Sequence, residues 1–378
     1  MKVLINALLM QVEKKEIQLS NIYFKDGIIT DITLANEGIR SEVKEIIDAK
    51  GLYVTPGLID AHTHLGLKGD SQGFEGTDHN ERNDPLTPEM RAIDAINPQD
   101  ITFKEALDAG ITTVGTGPGS ANVVCGQFAC IKTFGSSIDK MILKFPMAMK
   151  IAFGENAKTN YNGKNKTPVT RMGIASLLRE LLRETVEYKN NPNRKFNAKL
   201  DAMLPVINKE IPLKAHAHRA DDILTAIRIA KEFNVDLTLE HCTAITEILD
   251  EIADENYPLM VGPTFGARTK IELKEKSFKN VAKLSNFGKD FAIITDAPVI
   301  PLEYLPLCAG LAIDSGMDEW KALQSITINP AKYMGVEKRV GSIEVGKDAD
   351  IVIWKNKPMV TVTSPKTVIL DGNIVFQI

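Results

Sequence analysis

Short apolar runs alternate with longer amphipathic stretches through most of this chain. The strand-like runs are Val54–Asp60, Ile111–Thr116, Phe128–Thr133, Met147–Phe153, Leu213–Ala217, Leu237–Glu240, Leu259–Val261 and Phe291–Thr295. Between them lie helix-like stretches at Pro98–Ala109, Thr170–Lys189, Ala220–Phe233, Ala244–Glu255, Tyr304–Ser315 and Met317–Thr327. Within Ala220–Phe233, for instance, Ile223, Ile227, Ala230 and Phe233 recur at helical spacing. Strands alternating with helices predict a parallel sheet with crossover helices, and roughly eight such units predict an α/β fold of the (β/α)8 TIM-like barrel type over residues 55–344. An open doubly wound sheet is the alternative, and no Gly-rich phosphate loop supports it.

The two ends have a different texture. Val3–Met10, Ile17–Phe24, Gly27–Thr33 and Val43–Ile47 read as hairpin strands around a Lys25-Asp26-Gly27 turn. Asp350–Trp354, Thr361–Thr363, Thr367–Leu370 and Ile374–Ile378 repeat that texture at the other end. Chain termini commonly lie close together, so residues 1–54 and 345–378 are expected to pair into a small β-sandwich. Two irregular stretches interrupt the barrel pattern, Gly66–Pro98 and Phe153–Pro168. The first carries Asp70, Glu75, Asp78, His79, Glu81 and Asp84, and a loop of that length is expected to act as a lid over a site. His79 itself reads as a loop residue rather than a catalytic one.

Composition narrows the class. With 44% hydrophobic residues, 25% charged residues and a formal net charge of −4, the chain is an ordinary globular protein with no bias toward a polyanionic partner. The basic stretch Tyr188–Lys199 is Asn-rich and lacks interleaved aromatics, so it reads as a solvated loop rather than a nucleic-acid surface. Cys125, Cys130, Cys242 and Cys308 are too scattered for a disulfide framework. The apolar start Val3–Met10 is interrupted by Asn6 and followed by no small-residue cleavage site, so it reads as a strand rather than a leader. No run approaches the ~20 apolar residues of a membrane span. A cytoplasmic protein acting on a small molecule is the expectation.

The chemistry sits at the strand ends. Five of the six histidines fall in Val54-Thr-Pro-Gly-Leu-Ile-Asp-Ala-His62-Thr-His64, Ile211-Pro-Leu-Lys-Ala-His216-Ala-His218 and Leu237-Thr-Leu-Glu-His241, while Phe291-Ala-Ile-Ile-Thr-Asp296 ends in a carboxylate. Alternate residues of a strand share a face, so His62 and His64 can grip one ion together. If these strands are neighbours in one sheet, their ends converge on one rim as a metal site. Gly117-Pro-Gly-Ser-Ala-Asn122 would let backbone approach a ligand, and Gln127, Asn156, Arg171 and Arg268 are candidates for holding a substrate carboxylate. Cys242 reads as a buried neighbour of His241.

Pro56-Gly-Leu-Ile-Asp-Ala-His-Thr-His64 resembles the first metal motif of the amidohydrolase superfamily. Thr327-Ile-Asn-Pro-Ala-Lys332 and Gly341-Ser-Ile-Glu-Val-Gly-Lys-Asp-Ala-Asp350 resemble the segment that closes its barrel. Within it, Thr116-Gly-Pro-Gly-Ser-Ala-Asn122, Gly126-Gln127 and Phe153-Gly-Glu-Asn156 are similar to the imidazolonepropionase-related branch. The resemblance implies metal ligation by His62, His64, His216, His241 and Asp296, with zinc as the ion and iron or manganese as alternatives. It leaves open whether Lys150, as a CO2-derived carbamate bridging two ions, Glu155, in a site holding one, or neither supplies a further oxygen. An unmodified ammonium has no lone pair for a metal.

The implied reaction is hydrolysis of a C–N bond in a cyclic amide, an imidazolone-like ring or a dipeptide by hydroxide formed on the metal. Asp296 then moves the proton and His218 stabilises the oxyanion. A heterocycle deaminase with the same ligands and a non-catalytic scaffold are the rival readings. Superfamily relatives are often dimers or larger, which makes a homo-oligomer the matching expectation.

Overall fold

In the computed structural model, which describes residues 1–69, 73–359 and 364–378, the strands gather into two sheets. In chain order they are β1 (Lys2–Gln11), β2 (Glu16–Lys25), β3 (Ile28–Leu34), β4 (Glu45–Asp48), β5 (Tyr53–Pro56), β6 (Leu58–Thr63), β7 (Ile111–Thr116) and β8 (Val124–Lys132). There follow β9 (Ile142–Ala152), β10 (Leu213–Ala217), β11 (Leu237–His241), β12 (Leu259–Val261), β13 (Ala292–Ile293), β14 (Ile351–Trp354), β15 (Pro365–Leu370) and β16 (Asn373–Gln377). Asp70 of the acidic loop and the expected strand Thr361–Thr363 lie outside the described residues.

One sheet runs β16-β15-β14-β5-β1-β2-β3, with β4 pairing with β1, so strands from both ends of the chain share it. Its apolar face packs Leu4, Leu9, Ile22, Phe24, Ile351 and Ile369 into a core of its own. The other runs β6 to β13 in sequence order and curls into a barrel. Asp60 on β6 closes it: one carboxylate oxygen accepts from the backbone N–H and hydroxyl of Thr295, just past β13, at 2.8 and 2.7 Å. Beyond it, His64 N–H donates to the Ala297 carbonyl at 2.7 Å. The TIM-like barrel with a separate terminal sheet is therefore the observed fold.

Four local expectations need correction. The run Val54–Asp60 is two strands, because the chain leaves the terminal sheet at Pro56 and enters the barrel at Leu58. Gly57 at the crossing sits so close to Thr112 that a Cβ there would lie 2.0 Å from its hydroxyl oxygen. The barrel is also not uniformly parallel, since β8 runs antiparallel to both β7 and β9. Only residues 117–123 join β7 to β8, and a parallel crossover needs about a dozen or more.

Finally, Ala244–Glu255 forms a short 3-10 turn at Ile245–Glu247 followed by further turns. Buried Ile245, Ile248 and Ile252 mimic helical spacing without a helix. Conversely, Phe153–Pro168 contains a helix, Glu155–Asn162, which buries only Ala157 and Tyr161 and so shows little apolar stripe. Among the described residues no helix is long and apolar enough to cross a membrane.

Candidate metal centre

All six histidines meet at the barrel mouth. His62 and His64 leave β6 on one face, as the alternation of a strand requires. His216 lies on β10, with His218 just past its end, and His241 ends β11. His241 and Asp296 both adopt left-handed backbone, with φ of 73° and 55°. Such conformations are uncommon for residues other than glycine and cluster at functional sites.

Four of the rings are held through Nδ1, which leaves Nε2 facing inward. His64 Nδ1 donates to the Gly117 carbonyl at 2.7 Å and His241 Nδ1 to the Gly262 carbonyl at 2.8 Å. His62 Nδ1 lies 2.6 Å from Glu240 Oε2, and His218 Nδ1 lies 2.8 Å from the Thr243 hydroxyl. A carbonyl only accepts, so Nδ1 of His64 and of His241 carries a proton, and in a neutral imidazole so held Nε2 presents a lone pair. Ring orientation by such outer partners is the usual companion of metal ligation.

The inward atoms converge on one point. Asp296 Oδ1 lies 3.3 Å from His64 Nε2 and 3.7 Å from His62 Nε2, while His241 Nε2 is buried with no hydrogen-bond partner among the described residues. Two overlapping triads, His62–His241–Asp296 and His216–His218–His241, each bring their ligand atoms within 4.8 Å of one another. A buried cluster of lone pairs and a carboxylate is costly unless a cation satisfies it, so these residues fit a divalent metal.

Electrostatics agree. Burial, reinforced by neighbouring cations, keeps His62, His216 and His218 far below the ordinary imidazole range and brings His241 to about 4. Burial pushes the Asp296 carboxyl upward, but its close neighbours His64, His241 and Lys150 outweigh it and hold the group well below the carboxylate range.

Lys150, on β9, touches this cluster directly, while Glu155 lies in the wall of the same cavity. Its Nζ lies 2.8 Å from His62 Nε2, and burial lowers its pKa to about 8. Glu155 opens the helix after β9, lines the cavity wall and makes no ion pair with a histidine. The other candidates disperse. Arg171 pairs with Asp222 at 3.0 Å, Arg268 donates to the carbonyls of Lys274 and Lys276, and Gln127 donates to that of Pro88. Asn156 remains in the cavity. Cys242 is buried.

Sequence reasoning did not single out Glu240 or Lys214, and it read His79 only as a loop residue. Lys214 lies two residues before His216, so strand alternation could have found it. His79 reaches His64 with ring centroids 5.4 Å apart, and its Nδ1 is buried without a partner. No local pattern in the sequence announces that placement.

Residues 53–375 match the Amidohydrolase family model, and the chain belongs to that family of metal-dependent hydrolases acting on C–N bonds. It is 37% identical to an amidohydrolase from Thermotoga maritima of known crystal structure, with a TM-score of 0.95 and both chains covered in full. Amidohydrolase tasK of Hapsidospora irregularis is 27% identical over 95% of this chain, which spans 40% of that longer protein. An imidazolonepropionase of Bacillus cytotoxicus is 24% identical over 87% of this chain and 81% of its own length.

Proposed function

We propose that this protein hydrolyses a C–N bond of a small molecule (a cyclic amide, an imidazolone-like ring or a dipeptide) at a divalent metal held by His62, His64, His216, His241 and Asp296. The observation that carries this reading is the convergence of the His62, His64 and His241 rings on the Asp296 carboxylate, a donor set that fits a divalent cation. When bound, zinc, iron or manganese supplies a Lewis acid that polarises the amide carbonyl and acidifies water. Asp296, ionised at neutral pH, takes up the proton of the attacking water and returns it to the departing nitrogen. With the Thr243 hydroxyl donating to Nδ1, His218 keeps its proton on Nε2 and offers it to the developing oxyanion. We assign the further oxygen ligand to Lys150 as its carbamate.

The cavity over this cluster measures about 480 Å³, a size suited to a small molecule. A deaminase reading has one specific support: a 5-methylthioadenosine/S-adenosylhomocysteine deaminase of Thermoanaerobacter pseudethanolicus is 24% identical over 91% of this chain. The test is to strip the protein with a chelator, reload it with zinc, iron(II) or manganese, and assay dipeptides, cyclic amides, imidazolones and aminopurines. Metal-dependent amide cleavage without ammonia release is the expected result. Ammonia release from aminopurines alone would establish the deaminase. A protein that binds no metal, or binds it and turns over none of these, would overturn the reading.

A further inference from the structure

The cavity wall carries charge that the metal cluster does not use. Lys68, Arg82 and Lys270 line it, and among the described residues none of them is engaged in an ion pair. The carboxylates lining the same space are Glu155 and Asp296, and Asp296 is committed to the histidines. Lys270 is the most deeply set of the three cations, half-buried where Lys68 and Arg82 are exposed. Its ammonium donates to Asn156 Oδ1, and Asn156 Nδ2 lies 3.5 Å from His216 Nε2 and donates to Ser120 Oγ at 2.7 Å. A lysine ammonium has three donors, so two remain beyond the one given to Asn156. A single carboxamide group therefore spans the gap between an ammonium that makes no ion pair among the described residues and a ligand histidine.

We propose that Lys270 anchors a substrate carboxylate, and that the substrates are N-acyl α-amino acids or dipeptides with a free carboxylate. The inference rests on the hydrolase reading above and narrows it. In such molecules one carbon separates the carboxylate from the scissile amide nitrogen, which matches an anchor one carboxamide away from the metal cluster. Hydrolysis breaks the amide C–N bond, places the water oxygen on the acyl carbon and leaves the proton on the amine. Asn156 orients the ammonium, so the cavity recognises the anion by charge-assisted hydrogen bonds.

Calorimetric binding to the zinc-loaded protein tests this without requiring turnover. The probes are N-acetyl-L-amino acids and glycyl dipeptides, each as the free acid and as the C-terminal amide. Free acids are expected to bind about 30-fold more tightly than their amides, the value of one charge-assisted contact. Lys270→Met should reduce that preference to less than about threefold at unchanged zinc content, and Lys270→Arg should restore most of it. Equal binding of acids and amides, no binding of either, or a preference that survives in Lys270→Met because the metal itself holds the carboxylate, would each overturn the proposal. Tight, Lys270-dependent binding of acids that are never cleaved would uphold the anchor and refute the hydrolase reading instead.

Discussion

Glu240 Oε2 lies 2.6 Å from Nδ1 of His62 and 2.8 Å from the ammonium of Lys214, so one buried carboxylate holds a ligand histidine and a lysine together. Its other oxygen accepts from the Thr238 hydroxyl at 2.6 Å. The carboxylate fixes the proton of His62 on Nδ1 and leaves Nε2 as the ligand atom. Glu240→Gln preserves volume but exchanges a charged acceptor for an amide. Metal affinity, measured by competition with a chromophoric chelator, is expected to fall about 10–100-fold, the usual effect of losing such a partner. Unchanged affinity would show that the barrel alone orients His62.

Lys150 stands where its ammonium occupies the lone pair that His62 would offer to an ion. Reaction with CO2 replaces that competing cation with an anionic oxygen. Protein prepared with bicarbonate is therefore expected to hold more metal per chain than protein prepared without it, and Lys150→Arg, which keeps the charge but stays protonated, should lose the difference. Elemental analysis reads both. A bicarbonate effect that persists in Lys150→Arg would remove the carbamate from consideration.

How much of this was legible in the sequence depends on how local each signal is. His62 with His64, and His216 with His218, declare themselves because alternate strand residues share a face. Glu240 and His241 defeat the same rule. Alternation sends neighbours to opposite faces, yet both contact His62 because the left-handed backbone at His241 turns its ring back inward. Of the sequence candidates for holding a carboxylate, Gln127, Asn156, Arg171 and Arg268, Asn156 lines the cavity, but no sequence pattern reveals that Asp222 and two carbonyls engage the arginines while Lys270 makes no ion pair among the described residues. The reversed direction of β8 was readable in principle from the shortness of residues 117–123.

Lys132 ties the end of β8 to the terminal sheet. Its buried ammonium lies 2.7 Å from Asp348 and 3.1 Å from Asp350, and it also pairs with Asp371. Lys132→Met leaves these carboxylates facing one another, and urea denaturation is expected to show a loss of about 3–5 kcal/mol, the cost of breaking a buried pair. Burial raises Asp350 from 3.8 to about 6, so the folded state holds that proton more tightly than the unfolded chain. The associated stability is present below pH 3.8 and lost as pH rises through 6. Asp350→Asn should flatten this part of the stability profile, and an unaltered slope between pH 4 and 6 would assign it to other groups.

Gly57 is the point where the chain passes from one sheet to the other, and its backbone N–H donates to the Asp350 carbonyl at 2.9 Å. A methyl group there would meet the Thr112 hydroxyl oxygen at 2.0 Å, its Cγ2 at 2.6 Å and its Cβ at 2.8 Å. Thr112 is itself buried and cannot swing into solvent. The collision must therefore be relieved by moving β5 and β6 apart or by shifting β7. Gly57→Ala should cost about 1–3 kcal/mol or more, despite being a mild substitution by composition. Because the strain lies between two named side chains, it should be coupled. Thr112→Ala removes the two nearest atoms, so the double variant should recover a large part of the loss, with an interaction energy of at least about 1 kcal/mol in a denaturation cycle. Strict additivity would show that Gly57 is needed for its backbone rather than for the space it leaves to Thr112.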